Sequence, residues 1–204
     1  MEQKYINEEM VQKTVAFHGH MCPGLAVGIR AAEVALREIG PHAKDEEVVA
    51  VVETDMCGVD AIQFLTGCTF GKGNLIHLDH GKNIFTFYRR SDGKGIRVVS
   101  RPEAFGQPDP EWQALRSRLA EPNLTQKERD RFWQLHEARA RQILDIPLEN
   151  LFEINKPQGK IPSHARITET VICESCGEGV METRTRRFSG KTLCIPCFNQ
   201  MEQR

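Results

Sequence analysis

Two pairs of cysteines near the carboxyl end have the spacing of a metal site. Each pair is a CxxC motif, and seventeen residues separate the two pairs, which are formed by Cys173, Cys176, Cys194 and Cys197. Four thiolates at this spacing are typical of a structural zinc site, with zinc–sulfur distances of about 2.3 Å. The alternatives are two redox-active pairs or two disulfides. The pattern predicts a four-cysteine zinc finger, because a segment this short cannot build a sufficient hydrophobic core of its own.

A second group of ligand-type side chains lies near the amino end. His18, His20 and Cys22 lie within five residues, immediately before Pro23 and Gly24. Proline suits the first turn of a helix, so Cys22 is predicted to be the N-cap, where the helix dipole and free backbone amides favour a thiolate. The alternative is a turn with incidental histidines. The density of imidazole and thiol groups makes all three residues candidate ligands for a second metal.

Two further cysteines flank a short predicted helix. Cys57 follows the β-branched run 48–52, which predicts a buried strand, and functional groups often collect where such strands end. Cys68 lies in a glycine-rich stretch that lacks the spacing of a phosphate-binding loop. Taken singly, each cysteine is more readily explained by packing than as a ligand. Asp55 and Asp60 are candidates for orienting a histidine ligand through a hydrogen bond.

The rest of the pattern predicts an α+β fold. Apolar residues at three- to four-residue spacing predict helices over 10–17 and 23–39, and a capping box at Thr125 predicts a helix that continues to about residue 144. Strands are predicted at 48–52, 75–78, 84–88 and 96–100, the last two as a hairpin. The segment 148–154 predicts another strand. We therefore expect a mixed sheet packed with helices, plus a small C-terminal treble-clef or ribbon zinc finger.

Length and composition are consistent with one medium domain and a small appended one. The chain has 204 residues, of which 40% are hydrophobic and 27% charged, and its net charge is −1. The pattern predicts a core domain at 1–155 that includes the helical segment 108–145. A linker rich in proline and glycine is predicted at 156–166, and the finger at 167–204. The near-neutral charge does not favour non-specific binding of nucleic acid.

The same sequence bears on location. No stretch approaches the roughly 20 apolar residues that span a bilayer, so no membrane partner is expected. The first residues show neither an apolar run nor a cleavage pattern, which argues against a secretory signal. Seven cysteines, four of them assigned to a metal, suit a reducing compartment. We expect a cytoplasmic protein.

Two runs of sequence resemble a known family. FHGHMCPGLAVGIRAA, followed by ETDMCGVDAIQFLTGCTFGKGNL, is similar to the core of the FmdE family, which is named for a subunit of formylmethanofuran dehydrogenase, over roughly residues 10–155. Some members carry a similar C-terminal zinc-finger module. The resemblance implies an α+β core that dimerises, with a cleft near the His-Cys motif. It also implies that the cleft is lined by potential metal ligands: His18, His20, Cys22, Cys57 and Cys68.

The resemblance implies an accessory role rather than the dehydrogenase chemistry itself. In formylmethanofuran dehydrogenase that chemistry belongs to a molybdenum or tungsten pterin cofactor and iron–sulfur clusters on other subunits, and this chain lacks the CxxCxxCxxxCP run of ferredoxins. We therefore expect an accessory, metal-handling or cofactor-handling protein. Besides the structural zinc, it would hold a second zinc or another divalent metal in the core.

Two other classes of function stay open. The cleft could be an active site, either with zinc that has an open position or with Cys22 or Cys57 as a nucleophile and His18 or His20 as its base. Alternatively, the finger could bind a partner. Its arginines, Arg184, Arg186 and Arg187, could meet phosphates, but from Ala165 onward six basic side chains oppose five acidic ones. A protein partner is therefore favoured over nucleic acid.

Overall fold

The computed structural model describes residues 5–203 and divides the chain into two compact units, Met1–His164 and Ala165–Arg204. The ends of the two predicted domains, 1–4 and Arg204, lie outside the described residues, as does most of the segment on which the absence of a secretory signal was predicted. Within the described part of the chain, no helix is both long and apolar enough to cross a membrane.

The first unit contains six helices and five strands among its described residues. The helices are α1 (Glu8–His18), α2 (Pro23–Glu38), α3 (Gly58–Thr66), α4 (Pro110–Ser117), α5 (Gln126–Asp145) and α6 (Leu148–Leu151). The strands are β1 (Val48–Val52), β2 (Leu75–His77), β3 (Ile84–Arg89), β4 (Gly95–Ser100) and β5 (Phe152–Asn155). The predicted capping box is present at the start of α5, where Thr125 and Glu128 satisfy each other's backbone amides.

The five strands form one mixed sheet in the order β2-β1-β3-β4-β5. Strands β1 and β2 are parallel, with Ala50 opposite Leu75, and all other neighbours are antiparallel. Strand β5 reaches the edge after the long excursion through α4 and α5, and places Ile154 opposite Val98. The mixed sheet packed with helices confirms the predicted α+β class.

One face of the sheet is covered by helices. Side chains of Ala50, Phe85, Phe87 and Val98 point to this face and form a buried core with α2. Helix α2 is apolar on most of its surface because it packs against both α3 and α5 as well as the sheet. It is therefore the central element against which the two other long helices are positioned.

The segment 156–164, which we call the strap, crosses the opposite face of the sheet. Its Pro157 lies over Gly95 and the ring of Tyr88, since a Cβ on Gly95 would come within 2.8 Å of both side chains. Farther along, Arg90 donates hydrogen bonds to the carbonyls of Pro162 and Ser163. Most of the segment predicted as a linker therefore packs on the first unit.

The segment 148–154 differs from the prediction of a continuous strand. It begins with the single helical turn α6, and only Phe152–Asn155 joins the sheet. The turn places Leu148 and Leu151 on the same side, where both pack on the core, whereas a strand would point them to opposite faces. Burial of two leucines therefore favours the turn.

The second unit has the order expected of a zinc finger. Strands β6 (Thr170–Ile172) and β7 (Gly179–Met181) form one hairpin, and β8 (Thr185–Phe188) and β9 (Lys191–Cys194) form another. Helix α7 (Ile195–Glu202) follows directly and contains the last cysteine. A small cluster around Leu193, with Phe188 edge-on to Phe198 at 5.7 Å, is the only apolar core in the described part of this unit.

Candidate metal centres

The junction of α1 and α2 brings the first two candidate ligands together. Helix α1 ends at His18, and Gly19 takes the left-handed conformation (φ 100°) that turns the chain sharply. Cys22 is the N-cap of α2, as predicted, and its Sγ accepts a hydrogen bond from the backbone N–H of Leu25 at 3.3 Å. The His18 Nε2 atom consequently lies 3.9 Å from the Cys22 Sγ atom.

Two glycines allow the third ligand to approach. A Cβ on Gly28 of α2 would lie 2.2 Å from the carbonyl oxygen of Gly58, so the backbones of α2 and α3 touch at this point. A Cβ on Gly24 would lie 3.3 Å from the Cβ of Cys57. Because α3 begins immediately after Cys57, this close crossing places the Cys57 side chain beside Cys22.

The ligand atoms of His18, Cys22 and Cys57 all lie within 4.8 Å of one another. The Nδ1 atom of His18 is 2.7 Å from a carboxylate oxygen of Asp60 on α3. An ionised carboxylate can only accept, so Nδ1 carries the proton and Nε2 presents its lone pair toward the cysteines. Asp60 thus orients the imidazole in the way carboxylates orient metal-bound histidines.

The cysteine environment favours a metal over a free nucleophile. Burial, and to a lesser extent the neighbouring Cys57, raises the pKa of the Cys22 thiol to about 11, although the backbone N–H groups of Leu25 and Gly24 act in the opposite direction. Without a cation Cys22 is therefore a protonated thiol at neutral pH, which weakens the metal-free version of a cysteine enzyme. One imidazole and two sulfurs fit a borderline divalent ion such as zinc, with a fourth position left for another ligand.

The other two candidates from the sequence are placed differently. His20 lies beside the site, with its ring centroid 4.7 Å from that of His18, but it is not a member of the three-ligand cluster. Cys68 is fully buried beyond the far end of α3, a helix about 14 Å long, and its thiol donates to the carbonyl of Val48. Cys68 thus packs as a small apolar residue, away from Cys57.

Exposed apolar side chains border the cluster. Phe17 precedes His18, Met56 precedes Cys57, and Trp133 of α5 meets the His20 ring edge-on at 6.1 Å. The relative exposures of Phe17, Met56 and Trp133 are 55%, 60% and 51%. Sequence analysis missed Trp133, although a tryptophan outside the apolar stripe of an amphipathic helix is a recognisable signal.

The second cluster is formed by the four cysteines of the finger. Their Sγ atoms all lie within 4.8 Å of one another, which is compatible with a tetrahedral ion. Cys194 donates its backbone N–H to the Cys173 Sγ atom at 3.2 Å. Hydrogen bonds from the backbone N–H groups of Cys176, Cys194 and Ser175 lower the pKa of Cys173 to about 6, which favours the thiolate that zinc requires.

Known proteins match the chain along most of its length. A protein of Archaeoglobus fulgidus, named "Probable S-adenosyl-L-methionine-binding protein", is 32% identical over 188 residues, which covers 89% of this chain and 50% of the relative. The chain thus spans about half the length of that curated relative. The crystal structure of a tungsten formylmethanofuran dehydrogenase FmdE-like protein from Syntrophus aciditrophicus shares the fold, with a TM-score of 0.57 and 24% identity over 97% of this chain and 94% of that chain.

Family profiles account for both units. The profile of FmdE, described as "Molybdenum formylmethanofuran dehydrogenase operon", matches residues 17–153. The profile of the prokaryotic dksA/traR C4-type zinc finger matches residues 166–203, which contain the four-cysteine cluster. The resemblance expected from the two sequence motifs is confirmed: the chain belongs to the FmdE family and carries a C-terminal C4-type zinc finger.

Proposed function

We propose that this protein is a zinc-binding accessory protein that handles a metal or cofactor for molybdenum- or tungsten-type enzymes. In this proposal His18, Cys22 and Cys57 hold a divalent ion in the core, in addition to the zinc of the finger. The observation that carries the proposal is the convergence of the three ligand atoms within 4.8 Å, with Asp60 fixing the imidazole. The link to molybdenum and tungsten enzymes is supported only by the descriptions of the family and of the structural relative.

Each residue around the core site has a distinct part in this proposal. Asp60 holds the Nδ1 proton of His18, so that Nε2 stays free to bind. The backbone N–H of Leu25 stabilises negative charge on Cys22, which buries almost all of its surface. When bound, a zinc ion with three protein ligands supplies Lewis acidity at its remaining position. Cysteine deprotonation makes the affinity fall at acidic pH.

Metal content of the full chain tests the core site. Elemental analysis is expected to give about two zinc ions per wild-type chain and about one for the double variant Cys22→Ser/Cys57→Ser. Cys68→Ser is the matched control, because this cysteine lies outside both clusters, and it should retain both ions. A single metal in the wild-type protein, unchanged in the double variant, would refute the core site and leave the finger intact.

A second candidate function is binding of S-adenosyl-L-methionine. The Archaeoglobus fulgidus relative is named for this ligand, and the half-exposed Trp133 offers an aromatic face beside His20. Such a face attracts a sulfonium cation and stacks on adenine. Trp112→Phe leaves Trp133 as the single tryptophan of the chain. Saturable quenching of its fluorescence by S-adenosyl-L-methionine is expected, and no change up to millimolar ligand would eliminate this candidate.

The remaining expectations concern partners and location. We infer a homodimer, since the apolar side chains of Phe17, Met56 and Trp133 are exposed around the core site, and sedimentation velocity measures it directly. We further infer a protein partner for the finger, whose charges nearly balance. Retention of a native partner by the full chain, lost on removing zinc, would support that role. A cytoplasmic location remains part of the proposal and is measurable by cell fractionation.

A further inference from the structure

A cleft lies between the sheet and the strap, on the face opposite the helices. Its volume is 620 Å³, within the range of small-molecule sites in proteins. It is lined by Val51, Glu53, Leu78, Thr86, Tyr88, Arg97 and Asn155–Gln158. The sheet residues among these alternate along their strands with the core residues, so the cleft and the candidate metal centre lie on opposite faces of the sheet.

The charged groups of the cleft leave one positive charge in excess. Glu53 is largely buried and accepts hydrogen bonds from Arg97 at 3.0 Å and from His80 at 2.9 Å. Arg97 has five N–H donors, and Glu53 occupies one of its terminal nitrogens. Lys156 adds a second cation from the strap. With His80 neutral, one carboxylate therefore faces two cations.

Two buried hydroxyls add neutral donors. Thr86 and Tyr88 line the cleft and are only 7% and 6% exposed. Burial raises the pKa of the Tyr88 phenol, so its hydroxyl keeps its proton at neutral pH and can donate it to a ligand. The other walls are apolar, formed by Val51, Leu78 and Pro157. The cleft thus combines a cationic, donor-rich part with an apolar part.

We propose that this cleft binds a small organic monocarboxylate. Its carboxylate meets Arg97 and Lys156, and its apolar body packs against Val51, Leu78 and Pro157. A single negative charge balances the excess of the lining, whereas a phosphate dianion would leave one charge uncompensated. The proposal does not depend on the core metal, because none of the three proposed metal ligands lines this cleft.

Fluorine NMR provides a direct test, because the chain has only two tyrosines, Tyr5 and Tyr88. The full-length protein labelled with 3-fluorotyrosine gives one resonance from the cleft and one from the amino-terminal end, and Tyr88→Phe assigns them. At a pH of about 7.5, where His80 is neutral, titration with 1-naphthoate is expected to shift the Tyr88 resonance in a saturable way and to leave that of Tyr5 in place. The neutral isostere 1-naphthamide and inorganic phosphate should bind at least about tenfold more weakly.

Three variants show whether the charges act as proposed. Arg97→Gln and Lys156→Gln should each weaken naphthoate binding about tenfold. Lys160→Gln removes the same charge from the same strap without lining the cleft and should bind like wild type. Lys156 is exposed, so its variant decides the matter even if Arg97→Gln misfolds. An unmoved Tyr88 resonance, equal binding of the amide or of phosphate, or equal behaviour of Lys156→Gln and Lys160→Gln would overturn the proposal.

Discussion

The contact between α2 and α3 can be tested by adding a single methyl group, in Gly28→Ala. The new Cβ would lie 2.2 Å from the carbonyl oxygen of Gly58 and 2.5 Å from its Cα. Restoring even a tight 3.0 Å contact to that oxygen requires the two backbones to separate by about 0.8 Å, because backbone atoms, unlike a side chain, cannot rotate away. The same movement would draw Cys57 away from Cys22.

Two opposing terms give the expected magnitude. Alanine is favoured over glycine inside a helix by about 1 kcal/mol. Overpacking typically costs about 1–3 kcal/mol, and a backbone–backbone clash belongs at or above the upper end of that range. We therefore expect Gly28→Ala to lower the free energy of unfolding of the first unit by about 2 kcal/mol. Urea denaturation followed by tryptophan fluorescence measures this unit alone, because Trp112 and Trp133 both belong to it.

Gly24→Ala is the matched control for this change. It makes the same substitution one helical turn earlier in α2, where the Cβ would meet the Cβ of Cys57 at 3.3 Å as its nearest neighbour. A shift of a few tenths of an ångström accommodates it, so its stability should stay within about 0.5 kcal/mol of wild type. If Gly28→Ala were as stable as Gly24→Ala, the argument that the glycine crossing positions the candidate ligands would be refuted.

Three further perturbations test other parts of the molecule. Asp60→Asn should weaken the proposed core metal about tenfold, the lower end of the usual range because the Asp60 side chain is 40% exposed; competition with a zinc-binding dye measures it, and an equal effect of Asp55→Asn would contradict it. Cys173→Ser should unfold the finger to proteases without changing the urea midpoint of the first unit, and a shifted midpoint would be the contrary result. Burial opposes the ionisation of Glu53, but hydrogen bonds from His80 and Arg97 outweigh it and hold its pKa below the usual value. That stabilisation is complete above the ordinary glutamate pKa and is lost as pH falls through the lowered folded-state pKa, so stability, measured by urea denaturation across acid pH, should depend less on pH in Glu53→Gln than in wild type.

Local rules explain the features that sequence analysis predicted. Pro23 at the first turn of α2 makes Cys22 its N-cap, and the CxxC spacing brings the four finger cysteines together. Strand β1 coincides with the predicted run Val48–Val52, because β-branched residues buried on both faces leave few alternatives. These features depend on neighbours within a few residues, which a single sequence displays directly.

Features that depend on distant contacts were not predictable in the same way. The separation of Cys68 from Cys57 depends on which end of α3 faces α2, which the glycine crossing decides. His20 meets Trp133 across more than a hundred residues of chain. The strap has the local composition of a proline-rich linker, and only Tyr88 and Arg90 on the sheet show why it stays packed.

The late position of β5 in the chain has a consequence for synthesis. All three proposed core ligands lie within the first 57 residues, whereas the strand that completes the sheet begins only at Phe152. At usual rates of translation, roughly 5 to 20 s separate the emergence of Cys57 from that of Phe152. During the first part of this interval α5 is also incomplete, so Trp133 does not yet border His20. We therefore expect a metal ion, or an oxidant, to reach the cysteines of the nascent chain more readily than those of the finished protein.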